Sequence, residues 1–163
     1  LARAAGDPEA FPIARAATRT NRMYETAAIV IRRGRVLLTS EPDERGWWPG
    51  LWRLPRVVFA PVTVDGAPDV DDASDRESRE GALRSLLDGE FGLTCDELTH
   101  LATTTYGVTT NRVTLDVMSC LSPRGRLVRS SDVSWFALEQ ALSLGIPAAD
   151  RRILDRYGPA PLG

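Results

Sequence analysis

The 163-residue chain contains no lysine; all 20 of its basic residues are arginine. It has one histidine, His100, and two widely separated cysteines, Cys95 and Cys120. So sparse a set of soft ligands excludes a zinc or iron–sulfur site built from this chain alone. The cysteines read most simply as buried, reduced core residues of a cytoplasmic protein. A serine- or cysteine-dependent hydrolase would have to recruit His100, which follows Thr99 in a strand-like stretch without triad partners nearby. No apolar run approaches the ~20 residues of a membrane span. Residues 1–22 hold arginines and prolines but no apolar core of a signal peptide. An excess of positive charge is lacking too: 20 basic against 22 acidic residues give a net charge of −2. Blanket attraction to nucleic acid is therefore excluded, and any such contact needs a local patch.

What is present is a single-domain length with a 43% hydrophobic content, enough to bury a core. Charge is uneven: residues 1–64 sum to +4, residues 65–100 to −8 and residues 101–163 to +2. The acidic middle opens with Asp65-Gly66-Ala67-Pro68-Asp69-Val70-Asp71-Asp72, which reads as a solvated loop continuing to Asp75. Residues 1–23 form an aperiodic, alanine-, proline- and arginine-rich linker, and 158–163 a short tail, around one domain over 24–157. A start at Leu1 rather than methionine suits a piece of a longer protein.

Ala27 to Ile31 reads as a buried strand, Arg33-Gly34 as a tight turn and Val36 to Leu38 as the returning strand. An aromatic loop with Trp47, Trp48 and Trp52 leads to a strand near Val57 to Phe59. Ser74 or Asp75 can cap a helix whose Leu83, Leu86, Leu87 and Phe91 share a face and which Gly92 ends. Strands follow at His100 to Tyr106 and Arg112 to Leu121, joined across Gly107 to Asn111. A last strand at Val133 to Phe136 precedes helices over Ala137 to Leu144 and beyond Pro147. This order predicts an α+β fold, a mixed sheet with helices packed on it.

The strand pair, Gly50-Leu51-Trp52 and a helix ending in Glu90-Phe91-Gly92-Leu93 resemble the Nudix fold. Aligned on Gly92, the signature of that family keeps Glu77, Leu87, Glu90, Gly92 and Leu93. It loses its first glycine at Asp71, its arginine at Ser85 and two glutamates at Leu86 and Gly89. The resemblance implies a phosphohydrolase helix stripped of clustered carboxylates, since magnesium needs several oxygens on one face. The expectation is no catalytic residue and no metal in this chain.

A narrower resemblance rests on Arg35-Val36-Leu37-Leu38, Gly50-Leu51-Trp52-Arg53-Leu54-Pro55, Val133-Ser134-Trp135-Phe136-Ala137-Leu138-Glu139 and Ile146-Pro147-Ala148-Ala149-Asp150-Arg151-Arg152-Ile153-Leu154. In that order these are similar to the C-terminal domain of A/G-specific adenine DNA glycosylases of the MutY type. The resemblance implies a non-catalytic domain that helps detect 8-oxoguanine opposite adenine in double-stranded DNA. Adenine is flipped out and excised in a separate catalytic domain carrying an iron–sulfur cluster. The partner is then DNA holding the mispair, gripped together with that domain, with no membrane and as a monomer. The family's lesion-sensing Phe-Ser/Thr-His maps onto Val108, Thr109 and Thr110, of which Thr109 matches.

Oxidation turns guanine N7 from acceptor to donor, so the Thr109 hydroxyl can supply the acceptor newly needed. Asn111 and Arg112 can hold phosphate. Ordinary turn chemistry accounts for the same residues. Likewise, the tryptophans suit either base stacking or a core lid, and Arg151 and Arg152 either phosphate or solvent. A Nudix hydrolase of a nucleoside diphosphate derivative with a rearranged metal site, or a nucleotide- or protein-binding module, stands as the alternative.

Overall fold

A computed structural model describes residues 21–40, 50–59 and 73–159. The elements are β1 (Asn21–Arg32), β2 (Arg35–Ser40), β3 (Trp52–Arg53), β4 (Arg56–Phe59), α1 (Ala73–Phe91), β5 (Leu93–Thr94), β6 (Thr99–Val108), β7 (Asn111–Cys120), β8 (Arg124–Gly125), β9 (Val133–Ala137), α2 (Leu138–Ser143) and α3 (Ala148–Tyr157). The path β9-β2-β1-β7-β6 forms one mixed sheet, with β3 beside β2 and β4 beside β1. β1 lies at its centre. Tyr24 to Ala27 pair antiparallel with β4, Ile31 and Arg32 with β2, and on the other edge Asn21 to Val30 run parallel to β7. The expected α+β class and mixed sheet are present.

Strand side chains alternate between faces, and both faces here are apolar. Ala27, Ile29, Val36, Leu38, Leu115 and Val117 meet α2 and α3 on one side. Ala28, Val30, Leu37, Met118 and Cys120 meet Leu83, Leu87 and Phe91 of α1 on the other. Burial on both faces explains why Ala27 to Ile31 is a continuous apolar run rather than an alternating one. Leu83 and Leu87 are fully buried, each contributing roughly 1.5–3 kcal/mol. Cys95 and Cys120 are free and buried in the α1-side cluster; the hydrogen bond between their thiols lowers Cys120 and raises Cys95.

Several boundaries differ from the sequence expectation. α1 is helical from Ala73, so Ser74 and Asp75 lie in its first turn rather than before it. Order extends back to Asn21 because β1 keeps its parallel register with β7 to that residue. The β6–β7 connection is only Thr109-Thr110, since Gly107 pairs with Arg112 and Val108 with Asn111. Thr109 takes φ +53, the sign that a tight two-residue hairpin turn demands and that glycine normally supplies. The two-residue strands β3, β5 and β8 are too short to show any period. Residues 1–20, the acidic stretch 65–72, Trp47 and Trp48 lie outside the described residues. Trp52 packs edge-on to Phe136, ring centroids 5.0 Å apart, against the core, which favours the core-lid reading for that tryptophan.

Candidate functional site

The signature helix separates into kept and lost positions along physical lines. Leu87 and Leu93 are fully buried. Gly92 has φ +73, and a Cβ there would stand 2.6 Å from the Arg126 carbonyl oxygen, so the backbone itself requires glycine. Ser85, Gly89 and Glu90 are exposed, and Leu86 packs partly against the apolar cluster. Glu77 is exposed too but lies thirteen residues from Glu90, about 20 Å along a helix. The two surviving glutamates cannot share an ion. Among the described residues no group of three or more His, Cys, Asp or Glu could hold a metal. The magnesium that a Nudix hydrolase helix implies does not fit the donors among the described residues.

The hairpin tip brings Thr109, Thr110, Asn111 and Arg112 to one surface. With Thr105, Tyr106 and Gly107 they line an open depression of about 350 Å³. Thr109 and Thr110 are exposed, as is Arg112. Val108 is 9% exposed, so its side chain is held beneath the tip rather than presented at it. The Thr109 hydroxyl donates to the Val108 carbonyl at 2.7 Å, and Asn111 Nδ2 stands 3.5 Å from the same hydroxyl oxygen. With its proton given to that carbonyl and one lone pair taken by Asn111, Thr109 Oγ1 retains one further lone pair as an acceptor.

Two clusters of charge support this hairpin, one on each face of the sheet. On the α3 face, Arg56 donates from Nη1 to Glu25 at 2.9 Å and from Nη2 to Asp150. Asp150 also accepts from the Leu54 amide at 2.9 Å. Tyr106 donates to Glu25, and Arg53 Nη2 lies 3.6 Å from the other Glu25 oxygen. Glu25 and Asp150 are each 1% exposed. Two carboxylates and two guanidinium groups make the cluster neutral. Burial disfavours the charge on Arg56, but Asp150 and Glu25 outweigh it and hold its pKa above the ordinary value. Burial and then Glu25 push the Tyr106 hydroxyl up, so it remains a donor.

These residues explain two of the sequence motifs. The segment Gly50 to Pro55 and the segment Ile146 to Leu154 meet in space. Besides the Asp150 contacts, the Trp52 amide donates to the Gly145 carbonyl at 2.8 Å. Their recurrence in the sequence reading reflects an internal fastening, not an exposed site. Arg151 donates to the Leu144 carbonyl at 3.4 Å, while Arg152 is exposed.

On the α1 face, Arg79 donates from Nη2 to Asp116 at 3.0 Å, and Thr103 donates to the other Asp116 oxygen at 2.6 Å. His100 Nε2 is 2.9 Å from Thr103 Oγ1 and 3.5 Å from Asp116. The Thr103 proton points to the carboxylate, so the imidazole is not placed to withdraw it. The three residues sit together without the nucleophile–base order that a triad requires. Burial would raise the Asp116 pKa, but the bonds from Thr103 and Arg79 prevail and hold it below 3.8.

No described helix is long and apolar enough to cross a membrane. Among solved structures, the fold is similar to the MutT protein of Methanosarcina mazei Go1, with TM-score 0.62, 18% identity, and 84% of this chain and 93% of that one covered. It is similar to the C-terminal domain of mouse MUTYH, solved in complex with human PCNA, with TM-score 0.61, 21% identity, and coverage of 83% and 86%. The NUDIX domain of Shewanella oneidensis NrtR, solved with ADP ribose, gives TM-score 0.56 at 16% identity, covering 93% and 90%. At such identities the likeness shows the fold alone. No curated protein sequence matches. The model of the NUDIX domain, however, matches residues 26–156, from β1 to the last turn of α3, and the chain belongs to the NUDIX domain family.

Proposed function

We propose that this is a NUDIX domain that reads DNA rather than cleaving a nucleotide. In this reading it is the lesion-recognition domain of an adenine DNA glycosylase, helping to detect 8-oxoguanine opposite adenine for base excision repair. The observation that carries the reading is the hydrogen bond from Thr109 to the Val108 carbonyl at an exposed, tight hairpin tip. With its proton so engaged, Thr109 Oγ1 acts toward a ligand as an acceptor. Guanine N7 accepts hydrogen bonds, whereas N7 of 8-oxoguanine carries a proton and donates one. An acceptor with no proton to offer therefore favours the oxidised base and leaves the normal one unpaired, a discrimination of about 1–3 kcal/mol. The helix that would hold magnesium lacks the oxygens, which supports binding rather than hydrolysis.

The four sequence segments that resemble those of adenine DNA glycosylases and the likeness to the mouse MUTYH C-terminal domain support the narrower assignment. Base excision itself, and an iron–sulfur cluster, belong in this reading to a separate catalytic domain. The likeness to MutT proteins favours a second reading, hydrolysis of a nucleoside diphosphate derivative. Incubation of the chain with magnesium and a nucleotide panel separates the two, with no turnover expected.

The direct test compares Thr109→Gly, Thr109→Ser and wild type in the parent glycosylase, measuring adenine excision opposite 8-oxoguanine and opposite guanine. Thr109→Gly relieves a positive φ and is expected to hold or raise the unfolding midpoint while narrowing discrimination by about ten- to a hundredfold. Thr109→Ser is expected to retain discrimination. Equal discrimination in all three proteins removes the role assigned to Thr109.

A further inference from the structure

The parallel register of β1 and β7 sets Arg22 directly beside Arg112, and both are exposed. Strand alternation puts the pair on the α1 face, in line with Tyr24 and Thr114 and then with Asp116. Neighbouring strands lie about 4.8 Å apart, so two guanidinium-bearing side chains rise side by side where the sheet ends. Two residues further along, the Arg79 guanidinium lies 5.2 Å from the centre of the Tyr24 ring. Arg79 and Arg76 belong to the N-terminal half of α1, the end whose partial charge is already positive. The Nε atoms of both are buried and make no hydrogen bond. Asp116 is the carboxylate that Arg79 engages.

This accumulation of arginine adjoins the hairpin tip, because Asn111 and Arg112 open β7 immediately after Thr109-Thr110. From it we propose that Arg22 and Arg112 jointly seat a phosphodiester of the nucleic acid strand that the hairpin reads, with Arg79 on Tyr24 as the wall behind it. The proposal rests on the DNA-reading function above and deepens it. The guanidinium fork suits the task, since it meets two phosphate oxygens at once. Phosphate contacts fix position and carry no sequence information. Removal of this seat therefore weakens binding to damaged and undamaged duplexes alike, in contrast to the loss of Thr109.

The 163-residue chain and its Arg22→Gln/Arg112→Gln and Arg22→Lys/Arg112→Lys variants are titrated against two labelled duplexes, one with 8-oxoguanine opposite adenine and one undamaged, across a salt series. For the glutamine variant, affinity is expected to fall by tens of fold at about 0.1 M salt on both duplexes. The slope of log K against log salt falls by about 0.9 for each phosphate no longer neutralised. The lysine variant keeps most of the slope. All three proteins are expected to give the same circular dichroism spectrum, so that a change in affinity reads on the seat rather than on the fold. Inorganic phosphate at matched ionic strength is expected not to displace the duplex; displacement would mark a site for free phosphate and overturn the proposal. An unchanged slope in the glutamine variant removes the seat but leaves the DNA-reading function standing. Failure of the wild-type chain to bind either duplex even at low salt removes the seat, whereas the DNA-reading function falls only with the Thr109 discrimination test.

Discussion

The two faces of the sheet carry charge in different ways. On the α3 face, Glu25, Arg53, Arg56 and Asp150 form a neutral cluster, each side chain at most 6% exposed. On the α1 face, Arg79 and Asp116 are nearly as deep, but the chain of contacts runs out through Thr103 to His100, which is 32% exposed. The first cluster meets the surface at Tyr106, which bonds Glu25 from the wall of the hairpin depression. It ties two remote segments to β1 and to Tyr106, two residues before the hairpin closes. The second ends at solvent, at His100. In this domain the deeper ionic cluster fastens the scaffold beneath the hairpin, and the other runs out to a part-exposed histidine.

The comparison breaks most sharply at Asp150. Asp150→Asn leaves Arg56 buried with a single carboxylate, and a loss of about 3–5 kcal/mol is expected in urea unfolding. Removing both charges, as Arg56→Met/Asp150→Leu, is expected to cost less than that single change, because no charge is left uncompensated. A double variant worse than the single would show that the cluster contributes stability beyond mutual neutralisation.

Asp116→Asn sharpens the other side. Arg79 is then deprived of its carboxylate while solvent remains near, and a cost of about 1–3 kcal/mol is expected at neutral pH. Because the folded-state pKa of Asp116 is depressed below 3.8, its stabilisation is present above that value. It is lost as pH falls through the lower, folded-state pKa. The gap between wild type and Asp116→Asn in urea midpoints should close at strongly acid pH and stay open near neutrality; a gap independent of pH would assign the cost to packing.

The smallest effect belongs to Arg124, whose paired bonds to Asp96 at 2.7 and 2.8 Å are fully exposed to solvent. Arg124→Ala is expected to leave the urea midpoint where it was, and a clear drop would mean that β8 depends on this charged pair.

Much of this architecture is legible in the sequence. Leu83, Leu87 and Phe91 at helical spacing place α1 against the sheet, and Gly92 marks its end for a reason the backbone makes plain. The two-sided burial of β1 is visible in Ala27 to Ile31. The hairpin is legible too, but its turn reads too wide: Gly107 and Asn111 look like turn residues, while the positive φ falls on Thr109, a β-branched residue that turn chemistry disfavours. The Glu25–Asp150 cluster is invisible because its members are far apart in the chain and single charges within strand patterns read as surface. The juxtaposition of Arg22 with Arg112 depends on a parallel register, which neither strand encodes by itself.

That same parallel pairing has a temporal consequence. β1 leaves the ribosome well before its longest partner, β7, which ends only at Cys120. Asn21 must wait for Asn111, about ninety positions later, before the centre of the sheet exists. Until then β1 can hold only its hairpin with β2 and the short pairing with β4, and Ala27 to Ile31 stay uncovered on one edge. Pairing across so long an interval is slow and exposes strand edges to other chains. The central strand of the finished domain is thus its most vulnerable segment during synthesis, and the window closes only when β7 has cleared the exit tunnel.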